Sequence, residues 1–392
     1  MKLFFLYTVP ADNSIYKKIK DQIITFQKLK DNGVIDDFAC VNSSATENYV
    51  YRISTDNKHG VQFFNRIGHL YALSNVVLSY PKLYKYVYRY IKENTFTHIY
   101  IRRAVCDRFL ISFMKKLNKA GIKILFEIPT YPYDKEFPPN SMYKKIDNKW
   151  RSKLSPLVQY IVTPFRGYDY IFDIPVITVD NGIIVDNVKR VIGNKENTDN
   201  TINLIAVAGL SYWHGYDRLI KGLIDYYDHQ ENPRELYFHL VGGEMDNQFR
   251  KEYEQLVLGS SIESRVKFYG PVFGEELNKI YEIADIAVSS LGLHRLGLKQ
   301  SATLKSREYL AKGLPIISEG NVGYDSEDFK YALNVPMDES PINIQDIIDF
   351  YDRIYNNGLM NREDIISDIV NYAYKNFDMY ELMKNMIKEL KH

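Results

Sequence analysis

Lys305 and Glu308 stand three positions apart in the run Ser301 to Ile317, SATLKSREYLAKGLPII. On a helix that spacing puts an ammonium and a carboxylate on one face, one turn apart. A strand-like segment, Ala284 to Ser290, and a loop holding Gly292, His294, Arg295 and Gly297 precede the run; Gly313 and the apolar LPIIS close it. Strand, glycine-bearing loop, helix and strand in this order aim the unpaired N–H groups of a helix start beyond the strand ends, where anions bind readily. A lysine in the first turn neutralises a phosphate there, and a glutamate one turn on accepts hydrogen bonds from ribose hydroxyls. The chemistry this predicts is that of a nucleotide site. The same pair on a solvent-facing helix is only a surface contact worth about a few tenths of a kcal/mol.

The elements that must position these groups are visible as alternation. Strand-like runs at Leu3 to Thr8, His98 to Ile101 and Ile122 to Ile128 alternate with helical patterns at Tyr16 to Lys30 and Cys106 to Ala120. After the polar stretch Asn194 to Asn200, strands are expected at Leu204 to Val207, Leu236 to Val241, Val266 to Phe268, Ile286 to Ser289 and Pro315 to Ile317. Helices are expected near Tyr216 to Asp228, Gln248 to Val257, Gly274 to Ala284 and Thr303 to Lys312. Such alternation calls for parallel strands with crossover helices, in two doubly wound halves joined around Asn181 to Asn200.

Bulk properties narrow the classes. The chain has 392 residues, enough for two domains of roughly 180 to 200 residues each. Lys and Arg total 50 against 49 Asp and Glu, so there is no net field of the kind a general nucleic-acid binder carries. Cys40 and Cys106 are the only cysteines and lack disulfide-framework or zinc spacing, which fits a reducing compartment. The N-terminal KLFFLYTV reads as a buried first strand rather than a secretory leader, and no run approaches a membrane span. A cytoplasmic protein is expected. Lys82, Lys85, Arg89 and Lys92 repeat at spacings of three, four and three, with Tyr84, Tyr88 and Ile91 on adjoining faces. This stripe is either a solvated helix face or a contact for the inner, anionic face of a membrane.

Lys305, Glu308, Tyr309, Leu310, Ala311, Gly313, Pro315 and Ile316 together resemble the signature of the family 4 glycosyltransferases, an EYLAxGLPVI-like helix preceded by a lysine. Val266 to Ser290, Ile205 to Leu223 and Asn181 to Ile183 are similar to further segments of that family, so the resemblance runs from Asn181 to Ile317. It implies an α/β chain of GT-B architecture, two Rossmann-like domains. An acceptor-binding domain over residues 1–185, a nucleotide-sugar domain over 186–375 and a last helix over 376–392 returning to the first domain are expected. The activity implied is retaining transfer of a sugar from a nucleoside diphosphate-sugar, UDP or GDP, to an acceptor hydroxyl in bacterial polysaccharide or glycolipid synthesis. No further cofactor is expected.

The resemblance also distributes roles. Arg295 and Lys305 are expected to hold the diphosphate, supported by loop amides from Gly297 onward, and Glu308 to hold the ribose. His214 and Gly215 begin the first helix of the second half; relatives often place an arginine and a lysine near here, and His214 is expected either to replace them or to cap the helix. Gly270 is expected beside the nucleobase, or in a plain turn. Where the family commonly has a second glutamate, eight residues before Glu308, this chain has Gln300, which keeps hydrogen bonding to the hexose but no charge. In the first half, Arg103 is expected near phosphate or acceptor, and Glu127 to orient an acceptor hydroxyl; either also fits a buried salt bridge. No Asp-x-Asp follows a strand, so Arg, Lys and helix dipoles are expected in place of a metal. Two other readings stay open: a sugar-nucleotide 2-epimerase, for which carboxylates around a hexose are too few, and a non-catalytic partner subunit, suggested by Gln300 and the missing Arg/Lys pair.

Overall fold

The computed structural model describes residues 1–8, 16–43, 51–54, 60–64, 72–102, 104–134, 137–138, 140–192, 201–298, 303–320 and 329–391, the side chains of 42–80 excepted. The chain forms two compact units, Met1–Asn181 with Met379–His392, and Gly182–Asp378.

The first unit holds strands β1 (Lys2–Leu6), β2 (Asp37–Ser43), β3 (Tyr51–Ser54), β4 (Gly60–Phe64), β5 (His98–Arg102), β6 (Lys123–Glu127), β7 (Tyr160–Thr163), β8 (Tyr170–Ile171) and β9 (Ile174–Thr178). They lie in the order β4-β3-β2-β1-β5-β6-β7-β9-β8. The stretch from β2 to β9 is parallel, while β3, β4 and β8 add antiparallel edges. Its helices are α1 (Tyr16–Asp31), α2 (Ala72–Glu93), α3 (Arg108–Lys119) and α4 (Met142–Arg151).

Period-two alternation in β1 explains the layering. Leu3 and Phe5 face a core with Ile19 and Phe26 of α1, whereas Phe4 and Leu6 face one with Val87 of α2 and Leu110 and Met114 of α3. Adjacent residues of one strand thus feed cores on opposite sides of the sheet.

The second unit is a six-stranded sheet of β10 (Ile202–Val207), β11 (Leu236–Val241), β12 (Val266–Gly270), β13 (Ile286–Val288), β14 (Ile316–Glu319) and β15 (Ala332–Val335). All pairings are parallel, in the order β12-β11-β10-β13-β14-β15. The crossovers include α5 (Tyr216–His229), α6 (Gln248–Val257), α7 (Gly274–Ile283) and α8 (Leu304–Ala311), while α9 (Ile344–Tyr355) and α10 (Arg362–Phe377) follow the last strand. A sheet covered on both faces needs apolar runs rather than alternation. Leu204, Ile205 and Ala206 are accordingly buried in succession, as are Ile286, Ala287 and Val288.

The C-terminal helical stretch breaks once, at Asp378. Asp378 lies between α10 and α11 (Met379–Glu389) with extended backbone. Ile183 donates its N–H to the Phe377 carbonyl at 2.9 Å across it. Helix α11 then packs on α1, burying Met383, Met386 and Ile387 in the first unit's core.

Candidate functional site

In the second unit the strand order reverses between β10 and β13. At such a switch point the loops leave in opposite directions and open a crevice at the carboxyl ends of the strands. The two loops concerned are 208–215, leading to α5, and the one that leaves β13 at residue 289, described as far as 298, on the way to α8.

The first loop ends in a short 3-10 turn, Tyr212–His214. Ser211 donates its N–H to Nδ1 of His214 at 2.9 Å. That nitrogen is therefore the acceptor, and the proton of the neutral ring sits on Nε2. Burial, and after it the cation of Lys305, pushes the His214 pKa down to about 3, so the ring stays a neutral N–H donor across the physiological range. The ring lies flat against Tyr216, 5.5 Å between centres at 8°.

Gly215 follows with φ 64, where an added Cβ would stand 2.5 Å from the Leu291 carbonyl carbon and 2.6 Å from Gly292 N. Only a glycine lets the two loops cross there. Leu291 fixes the crossing by donating its N–H to the His214 carbonyl at 2.8 Å.

Helix α8 forms because its sequence is rich in strong helix formers, Leu304, Lys305, Arg307, Glu308, Leu310 and Ala311. It stops at Gly313, φ 86. There the Gly313 and Leu314 N–H groups return to the Leu310 and Tyr309 carbonyls at 2.9 and 3.0 Å, the double closure of a Schellman end. Tyr309 anchors the helix to β10, its hydroxyl accepting from the Val207 N–H at 2.9 Å. Neither Gly215 before α5 nor Thr303 before α8 caps its helix with a side chain.

Lys305, in the first turn of α8, donates to the hydroxyl of Tyr216, in the first turn of α5, at 3.3 Å. Its Nζ stands 5.6 Å from the Tyr216 ring centre. Burial alone lowers its pKa to about 7, with no neighbouring charge opposing that. A lysine in a helix's first turn also opposes the helix dipole. Two uncapped helix starts, an ammonium without a carboxylate partner among the described residues and a fixed Nε2–H thus gather at one crevice. Glu308 lies half-buried one turn along α8. Among the expected residues, His214, Gly215 and Lys305 are brought together here.

Arg295 requires a correction. Its guanidinium is not presented to a ligand: all five N–H groups already have acceptors. Nε donates to Glu339 at 2.9 Å, Nη1 to the Tyr212 carbonyl at 2.6 Å and to Asp217 at 3.0 Å, and Nη2 to Asp217 at 3.0 Å and Glu339 at 2.5 Å. Arg295 is in turn the leading cause that holds the Glu339 carboxyl down at about 2.

The network continues inward. His294 bonds Glu339 through Nε2 at 2.8 Å and Glu319 through Nδ1. Glu319 pairs with Arg218 at 3.1 Å, both fully buried. Breaking such a pair by removing one partner typically costs about 3–5 kcal/mol. Asp217, Arg218, Glu319 and Glu339 had no visible role in the sequence; the one local signal was the charged pair Asp217–Arg218 at a helix start just after a glycine.

Of the remaining expected residues, Gly297 closes the 3-10 turn Leu293–Leu296 with φ 70. Gly270 ends β12, where its carbonyl accepts from the Gly242 N–H at 2.7 Å. Gln300 and Arg103 lie outside the described residues. Glu127, in the first unit, is buried against Arg102 and accepts from Gln22 at 3.2 Å, so the salt-bridge alternative holds for it. Glu127 also lines a small pocket in which Lys18, Gln22, Thr163 and Asp180 stand among apolar groups such as Val162, Val179 and Met383. Burial, countered by Glu127, brings Lys18 to about 7 there.

Lys82, Lys85, Arg89 and Lys92 are all exposed along α2, and Arg108, Lys115, Lys116 and Lys119 along the neighbouring α3. Tyr84 and Ile91 belong to the core instead of the stripe, because the opposite face of α2 covers the sheet. Among the described residues no helix is long and apolar enough to cross a membrane.

No protein-family model matches the chain, and no curated protein does. Solved structures do. HepE of Anabaena in complex with UDP is similar over 100% of both chains at 13% identity, TM-score 0.61. A glycosyltransferase from Rickettsia africae matches over 99% of this chain and 97% of its own at 15% identity, TM-score 0.61. The Escherichia coli structure described as trehalose-6-phosphate bound with UDP-2-fluoro glucose matches over 100% and 99% at 13% identity, TM-score 0.60. Two mainly parallel sheets, a reversal of strand order in the second and full-length likeness to these structures agree: the chain has the GT-B fold.

Proposed function

We propose that the protein transfers a sugar from a nucleoside diphosphate-sugar to an acceptor hydroxyl, with retention at the anomeric carbon. The observation that carries this reading is Lys305. A half-buried ammonium with no carboxylate partner among the described residues, set at two uncapped helix starts, is an arrangement completed by a polyanion. The UDP named in the Anabaena HepE structures supports uridine as the first base to test, with GDP the alternative.

In this mechanism Lys305, the His214 Nε2–H and the first-turn amides of α8 stabilise the negative charge that grows on the departing diphosphate. Glu308 accepts hydrogen bonds from the ribose hydroxyls, Gly270 lies by the base, and the amides after Gly297 extend the phosphate cradle. Gln300 hydrogen-bonds the hexose and Arg103 meets phosphate or acceptor. The bond from the anomeric carbon to the diphosphate breaks as the acceptor oxygen bonds to that carbon on the same face, and the leaving phosphate oxygen takes the acceptor's proton. These cations and dipoles do the work of a divalent ion. The Glu127 pocket takes part of the acceptor, and the basic faces of α2 and α3 rest on an anionic membrane surface at the cytoplasmic side, placing a lipid-linked acceptor of bacterial surface-polysaccharide or glycolipid synthesis within reach.

The test is thermal stabilisation by UDP, GDP, ADP and their sugar conjugates, on the parent and on Lys305→Ala and Glu308→Ala. A ligand at a hundred times its Kd adds about 2.7 kcal/mol to stability. A rise for one base, lost in both variants, is expected; no rise with any nucleotide would sink the assignment.

A further inference from the structure

We infer that Arg295 is the positioning residue of the anion site: it holds the Tyr212–His214 turn so that the His214 Nε2–H faces the diphosphate, and it does not itself touch the phosphate. This rests on the donor-site reading above and adds a division of labour within it.

Three observations carry the inference. First, the guanidinium has no donor left. Its five N–H groups meet the Tyr212 carbonyl, both oxygens of Asp217 and both of Glu339. For a phosphate to take one of them, a charge-assisted bond already made would have to be given up.

Second, two of those acceptor residues, Tyr212 and Asp217, lie at the two ends of the segment that bears His214. Tyr212 opens the turn and Asp217 stands in the first turn of α5. One rigid fork therefore spans the turn from outside, while Ser211 fixes the ring from inside by donating to Nδ1 at 2.9 Å. Rotating the turn breaks both.

Third, the loop that supplies Arg295 is itself immobilised. Leu291 donates to the His214 carbonyl at 2.8 Å, and a Cβ on Gly292 would sit 3.1 Å from the Gly215 Cα. On the far side Glu339 holds both Arg295 and His294, and His294 reaches the buried Glu319. The two loops bordering the crevice are thus one body, with Arg295 as the pin.

The turn carries its own reporter. Trp213 is 36% exposed and Tyr212 41% exposed. Trp150 is the only other tryptophan, so Trp150→Phe leaves Trp213 as the single indole.

In that background UDP, GDP and ADP are titrated into the parent, Arg295→Gln, Asp217→Asn and the double variant, with the unliganded thermal midpoint measured for each. A positioning role predicts that each single variant weakens nucleotide binding on the order of tenfold, the loss of one charge-assisted contact. It further predicts that the double variant is no worse than the singles, because both break one clamp. The Trp213 emission of the ligand-free protein should shift in both. Arg295→Lys keeps the charge but not the fork, and should fail to restore binding.

A direct phosphate contact predicts the reverse pattern. Asp217→Asn would release the guanidinium and tighten binding, and Arg295→Lys would largely rescue it; either result overturns the inference. If Arg295→Gln lowers the midpoint too far to titrate, the lysine and asparagine variants decide. If the parent binds none of the nucleotides, the donor-site reading fails by itself. The clamp is then judged on the ligand-free protein, where an unchanged Trp213 emission and unchanged His214 ring 15N shifts in Arg295→Gln would refute it.

Discussion

Lys305 Nζ and the Tyr216 hydroxyl meet at 3.3 Å, joining the first turns of α8 and α5 through one ammonium and one phenol. Neither partner is an anion, so the contact leaves a positive charge in a half-buried place that the apoprotein does not neutralise. That cost to the free protein is the mark of a site built for a charged ligand.

Removing the charge should therefore stabilise the free protein while abolishing binding. In Lys305→Met, about 1 kcal/mol gained would raise the unliganded midpoint by roughly 2–4 °C for a domain of this size, and nucleotide-induced stabilisation should vanish. A lowered midpoint in the unliganded variant would count against the uncompensated-charge account.

The pH dependence has a definite sign. A lysine held at about 7 in the folded state and near its ordinary 10.5 when unfolded binds more protons in the unfolded chain between those values. Its contribution to stability therefore rises as pH increases from about 7 to 10.5. Bound diphosphate reverses the environment, so nucleotide binding near pH 8 should take up close to one proton. Calorimetry in two buffers of different ionisation enthalpy measures this uptake, and identical apparent enthalpies would exclude it.

Gly215 tolerates no side chain. Gly215→Ala places a methyl 2.5 Å from backbone at φ 64, combining left-handed strain with overpacking, for a loss of about 2 kcal/mol or more. Urea unfolding checks the stability, and nucleotide binding should fall with it. Gly33, also at positive φ but with nothing within 4 Å, is the control: Gly33→Ala should show the strain without the clash.

The exposed basic face of α2 makes a separate prediction. Lys85→Glu/Arg89→Glu should weaken sedimentation with phosphatidylglycerol vesicles by about 1 kcal/mol per basic side chain lost near the surface. Nucleotide-induced stabilisation should be unchanged, because the substitutions lie in the other unit. Parent protein that fails to sediment with these vesicles at low salt would remove the membrane contact from the proposed function.

Much of this was legible along the chain because it is local. The α8 motif, its lysine and glutamate one turn apart and its glycine stop need only neighbours within a dozen residues, and the parallel alternation of the second unit needs only apolar runs. Arg295 was misread for the opposite reason. Its partners Asp217 and Glu339 lie 78 and 44 positions away, and nothing in the loop around it shows that its charge is already met. Glu127 is similar, its partner Arg102 25 positions earlier on the adjacent strand. The strands β2, β7, β9 and β15 were not named from the sequence either, and the short antiparallel edges β3, β4 and β8 carry little hydrophobic pattern.

The passage of the chain at Asp378 orders the assembly of the molecule in time. Met379, Met383, Met386 and Ile387 complete the core that covers Leu3, Phe5 and Phe26, yet they are the last of these residues to leave the ribosome. The first unit must wait with that face bare while the whole second unit is synthesised. A nascent chain halted before Met379 would display it to chaperones, and the first unit finishes folding only with its final helix.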